Sequence, residues 1–111
     1  MIDLSFLEKF TKGNTSKMKR YITMYLSIAP EIFERMNENI TQENWTDLAI
    51  NAHSIKPQTD FMGIKSLKNI LIKIENGSKN GEYENLNALY QKAYEIHKKS
   101  EILLNDKLAQ I

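Results

Sequence analysis

The chain has no cysteine, which excludes a disulfide framework and any thiolate metal site and fits a reducing compartment. Only 4 glycines and 2 prolines punctuate its 111 residues, leaving little room for linkers. No stretch approaches the ~18 consecutive apolar residues of a membrane span. The opening MIDLSFLEKF carries acid early and lacks the apolar core of a secretion signal. Neither sign of charge dominates: 15 basic residues against 14 acidic ones give +1, so no general field favours nucleic acid or an anionic membrane. These absences predict a cytoplasmic, single-domain protein over residues 1–111, monomeric, with no nucleic-acid or membrane partner. Met1 and the length favour a free-standing protein over a module of a larger kinase.

What remains is helical periodicity almost throughout, with no strand-like alternation. A short first helix fits Leu4 to about Phe10, on Leu4, Phe6, Leu7 and Phe10. Gly13 closes it, and Thr15 or Ser16 offers the next N-cap. A second helix from about Ser16 to Asn39 repeats Met18, Ile22, Tyr25, Ala29, Ile32 and Met36, and Pro30 is expected to bend or divide it. A third runs from about Gln42, capped by Thr41, to Phe61, with Trp45, Leu48, Ala52, Ile55, Thr59 and Met62 on one face and Gly63 as its stop. A fourth spans Lys65 to about Asn76 on Leu67, Ile70, Leu71 and Ile74, and NGSKNGE reads as the clearest turn of the chain. A last helix from about Tyr83 to Ala109 repeats Leu86, Leu89, Ala93, Ile96, Ser100, Leu103 and Lys107. The expected architecture is an all-α, antiparallel up-and-down four-helix bundle with a short extra N-terminal helix.

At 100° per residue His53 lies roughly 140° from the centre of the third helix's apolar stripe, so it faces outward. Ala49, Ile50, Pro57 and Phe61 share its side of the helix, with Lys56 and Asp60 beside them. An apolar patch around an exposed histidine marks a docking site better than a solvated face. A neutral, exposed imidazole is nucleophilic, and a lysine at i+3 can screen an anion placed on it. No phosphate-binding loop, glycine-rich turn or magnesium-binding set accompanies these residues, so any phosphoryl group has to be activated by another protein.

The order His53, Ile55, Lys56 and Gly63 on the third helix of such a bundle resembles the signature of histidine-containing phosphotransfer (HPt) domains of bacterial two-component phosphorelays. YLSIAPEIFERM in the second helix and NITQENWTDLAINAHSIK ahead of the histidine look like the same family, so the resemblance covers nearly the whole chain. It implies that His53 relays a phosphoryl group between receiver-domain aspartates and that Lys56 orients or neutralises it. The implied partners are response-regulator receiver domains and a hybrid sensor histidine kinase. No cofactor belongs to the chain itself, since Mg²⁺ and the acidic pocket come with the receiver. Ala49, Ile50, Pro57, Gln58, Asp60 and Phe61 form the expected docking surface.

Pro57 departs from the family, which usually has glycine there. Its missing N–H removes the helical bond to the His53 carbonyl, at a cost of ~3 kcal/mol in a helix interior. That departure motivates the alternative of an adaptor that docks to receivers or kinases without carrying phosphate. Glu75 falls 22 residues after His53, an offset similar to that of a histidine-bonded glutamate in the chemotaxis-kinase branch, although that branch's second histidine is replaced by Ile72. His97 has no signature around it and reads as structural. Lys65, Lys68, Lys73 and Lys79 make the fourth helix and the turn after it somewhat basic and read as a solvated face. A di-iron bundle is excluded, because neither histidine has glutamate three residues before it.

Overall fold

Five helices and no strand make up the computed structural model, which describes all residues Met1–Ile111. They are α1 (Ser5–Phe10), α2 (Thr15–Thr41), α3 (Trp45–Met62), α4 (Lys65–Asn80) and α5 (Leu86–Gln110). Helices α2 to α5 form the four-helix bundle: each packs on the next, and α2 against α5 closes the ring. At 1.5 Å per residue the 27 residues of α2 reach ~40 Å, close to the 43 Å long axis of the molecule. The short α1 lies on α3. No helix is long and apolar enough to cross a membrane.

The expected stripes supply most of the core. Met18, Ile22, Tyr25, Ala29, Ile32 and Met36 of α2 are buried, as are Leu48, Ala52, Ile55, Thr59 and Met62 of α3. The stripe of α5 keeps the expected Leu86, Ala93 and Ser100, but between them buries Tyr90, His97 and Leu104 in place of Leu89, Ile96 and Leu103, and Leu103 is exposed. Either set satisfies a three-four spacing, and packing against Phe33 selects the one that buries rings. Tyr90 donates its hydroxyl to the Phe33 carbonyl at 2.7 Å, and His97 stacks on the Phe33 ring at 4.6 Å.

Several boundaries differ from those expected, each for a local reason. Pro30 does not divide α2: it is exposed, and the buried Ala29, Ile32 and Phe33 around it hold the helix through the missing bond. Asn14 caps α2 by accepting from the Lys17 N–H at 3.0 Å, in place of Thr15 or Ser16. Asn44 caps α3 in the same way, by accepting from the Asp47 N–H at 3.2 Å, whereas Thr41 ends α2. The fourth helix does not stop at Asn76. Gly77 is helical, and a Cβ there would come within 2.9 Å of Leu86 Cδ2 and 3.2 Å of the Glu82 carbonyl, so this glycine admits the returning chain and the turn falls at Gly81. One extra turn of α4 therefore carries Ser78 and Lys79 alongside α3.

Gly63 ends α3 at φ 65°. A Cβ there would lie 2.7 Å from the carbonyl carbon and 2.8 Å from the Cα of Asp3, whose N–H donates to the Met62 carbonyl at 3.2 Å. The glycine thus does two things: it takes the left-handed conformation, and it lets the N-terminal strand of backbone cross the end of α3.

Candidate functional site

His53 stands on the outer face of α3 with its side chain 67% exposed. Pro57, one turn on, is exposed and lies within an unbroken α3. Beneath the imidazole, Glu75 of α4 is almost entirely covered, at 7% side-chain exposure. Its carboxylate accepts from three groups: His53 Nδ1 at 3.1 Å and Lys79 Nζ at 2.9 Å on Oε2, and Lys56 Nζ at 2.7 Å on Oε1. Burial by itself would raise the pKa of Glu75, but the hydrogen bonds and charges of Lys56 and Lys79 outweigh it and hold the carboxyl down at about 2.

An ionised carboxylate can only accept, so Nδ1 carries the ring proton when His53 is neutral. The lone pair is then on Nε2, the nitrogen that no protein group engages. Glu75 fixes the tautomer and turns the nucleophilic nitrogen outward. The partial match of Glu75 to the chemotaxis-kinase pattern thus corresponds to a real contact, while Ile72, in place of that branch's second histidine, is a half-buried apolar residue of α4.

Lys56 is half-buried and spent on Glu75 in the resting arrangement. Lys79, which reads from the sequence as part of a solvated face, joins the same carboxylate; the Glu75-Lys79 spacing of four was the signal for it, masked by the expected stop at Asn76.

A groove of about 770 Å³ opens beside the imidazole, and His53, Glu75, Lys79, Trp45 and Tyr83 are among the residues that line it. The Trp45 and Tyr83 rings stack at 4.4 Å with 13° between their planes.

The residues expected to surround His53 do not share one environment. Ile50 is 60% exposed and flanks the histidine. Ala49 is 5% exposed, contrary to its placement on the solvent-side face, because α4 covers that edge of α3. Gln58 leans on α2, its Nε2 3.8 Å from Met24 Sδ, and Asp60 turns to α4, where it accepts from Lys68 Nζ at 2.8 Å. Phe61 is half-buried among Tyr21, Phe10 and Phe6, with ring centroids at 5.0, 5.1 and 5.6 Å. Phe6 and Phe10 themselves remain about half exposed, at 52% and 53%, which extends the apolar strip of α3 onto α1.

His97 is the opposite of His53. It is 1% exposed, accepts from the Tyr25 hydroxyl at Nδ1 over 2.8 Å and directs Nε2 to Glu101 at 3.3 Å. Burial lowers its pKa despite Glu101, so it is a neutral core residue.

The sequence matches the Hpt domain family over residues 20–111, from the second turn of α2 to the end of the chain. No curated protein and no solved structure matches it.

Proposed function

The chain belongs to the Hpt domain family, and from that premise we propose that it is a phosphoryl carrier in which Nε2 of His53 takes the group from a receiver-domain aspartate and passes it to another. The observation that carries this reading is the pairing of an exposed imidazole with a covered, ionised Glu75 on Nδ1. In the forward step the Nε2 lone pair attacks phosphorus, the bond to the aspartyl oxygen breaks, and the aspartate leaves as carboxylate. The Nδ1 proton stays in place, so the ring becomes a cation bonded to Glu75, and the return step reverses each change. No proton has to enter or leave, which suits a group that must be passed on rather than hydrolysed.

Lys56, held on Glu75, lends positive charge to the phosphoryl group from that place. Mg²⁺ and the acidic pocket that activates the aspartyl phosphate are the receiver's. Ile50 and Pro57 flank the reacting nitrogen, and Phe61 with Phe6 and Phe10 extends the apolar surface on which the receiver settles. Hybrid kinases and response regulators are accordingly the partners in this reading.

Incubation with a ³²P-labelled receiver tests it. An alkali-stable, acid-labile label should appear, map to the peptide containing His53 and be absent in His53→Gln. Peptide mapping serves as the control, since substituting the other histidine, His97, would cut its bond to Tyr25 in the core. A receiver that binds with equal affinity to wild type and His53→Gln, yet transfers no label, would establish the adaptor instead.

A further inference from the structure

Glu75 binds two ammonium groups, and only Lys56 belongs to the histidine-plus-three spacing. Lys79 reaches the same carboxylate from α4, on the oxygen that also contacts His53. The two lysines are not equivalent. Lys79 is 60% exposed and lines the groove next to His53, whereas Lys56 is 22% exposed and does not line it.

Charge gives the second cation a purpose. With the imidazole neutral, one carboxylate and two ammoniums leave the cluster one positive charge in excess. Transfer adds one negative charge, since the ring becomes a cation and the phosphoryl group carries two negative charges. With Lys79 present the phosphorylated site is neutral; without it the site would carry an uncompensated anion.

We infer that Lys79 is a further catalytic residue for phosphotransfer, a second cation that Glu75 stores beside the imidazole and that moves from the carboxylate onto the phosphoryl group as it arrives from the groove side. This rests on the phosphotransfer reading of His53. Lys56, the more enclosed of the two, stays on Glu75 during the step and keeps that carboxylate, and with it the Nδ1 proton, in place.

Phosphoramidate provides a donor that needs no partner protein: its P–N bond breaks, ammonia leaves from the protonated amine, and Nε2 forms the new bond to phosphorus. Loading of the full chain is followed by ³¹P NMR in low salt and at about 1 M salt, where the screening length falls to ~3 Å. Lys79→Gln should slow loading about two- to five-fold in low salt, the range of a single exposed charge pair, and the difference should close in high salt. Lys79→Arg should load at close to the wild-type rate, and circular dichroism melts identify any variant whose fold is lost.

Equal loading of wild type and Lys79→Gln at both salts would overturn the inference while leaving His53 as the carrier. A slowing of the same size at both salts would also overturn it, because it would show that Lys79 acts only by propping Glu75. Absence of label on wild type, or undiminished label on His53→Gln, would remove the phosphotransfer reading itself.

Discussion

Replacing Glu75 with glutamine removes the charge that joins three side chains from two helices while keeping the shape of the side chain. The carboxyl's pKa falls from an ordinary 4.5 to about 2 in the fold. At 1.36 kcal/mol per tenfold change in acidity, that difference sets a ceiling of about 3 kcal/mol on its contribution. Two of its three partners, His53 at 67% and Lys79 at 60% exposure, are open to water, and screening brings the expectation down to about 1–2 kcal/mol. A depressed carboxyl stabilises the fold above its unfolded pKa, and that stability is lost as pH falls through the folded value. Urea denaturation followed by circular dichroism should therefore show Glu75→Gln weaker than wild type by about 1–2 kcal/mol from pH 7 to pH 5. The gap should narrow below pH 4.5 and close near pH 2. The other acidic residues titrate in both proteins and cancel. A gap at pH 3 as large as at pH 7, or none at pH 7, would refute the account of Glu75 as a lysine-held anion.

Gly63→Ala should cost roughly 2–4 kcal/mol, because it combines a left-handed backbone with a collision against Asp3, and a drop of less than 1 kcal/mol in denaturation would show that the N-terminal segment simply lifts away. Pro57→Ala should stabilise the protein by about 1–3 kcal/mol by restoring an N–H inside α3; a loss of stability would mean that α3 is shaped around the ring. Tyr25→Phe should cost about 1–2 kcal/mol and leave His97 Nδ1 without its donor. Since burial depresses the pKa of His97, its neutral form stabilises the fold above pH 6.5 and less so as pH falls through and below that value, a slope that NMR titration of the ring can assign.

The bundle was legible because its stripes are long: six α2 positions repeat at three and four, and all six are buried. His53 was legible for the complementary reason, that it lies off the stripe of its own helix. What escaped was decided between elements. Asn76-Gly77 reads locally as a turn, yet α5 needs the glycine to approach α4, and that tertiary demand overrides the local signal. Lys79 was hidden by the same error, since a helix ending at Asn76 never carries it to Glu75. Ala49 shows the limit of a helical wheel: it ranks directions on one helix but does not say which neighbour covers which edge.

Trp45 is the chain's single tryptophan, and it shares a groove with His53. Its face-to-face contact with Tyr83 ties the start of α3 to the segment between α4 and α5. An indole so placed is a built-in optical reporter. Emission excited at the red edge comes from this one site, so the arrival of a receiver, or a change in the groove when His53 is loaded, can be timed in a stopped-flow instrument on unlabelled wild-type protein.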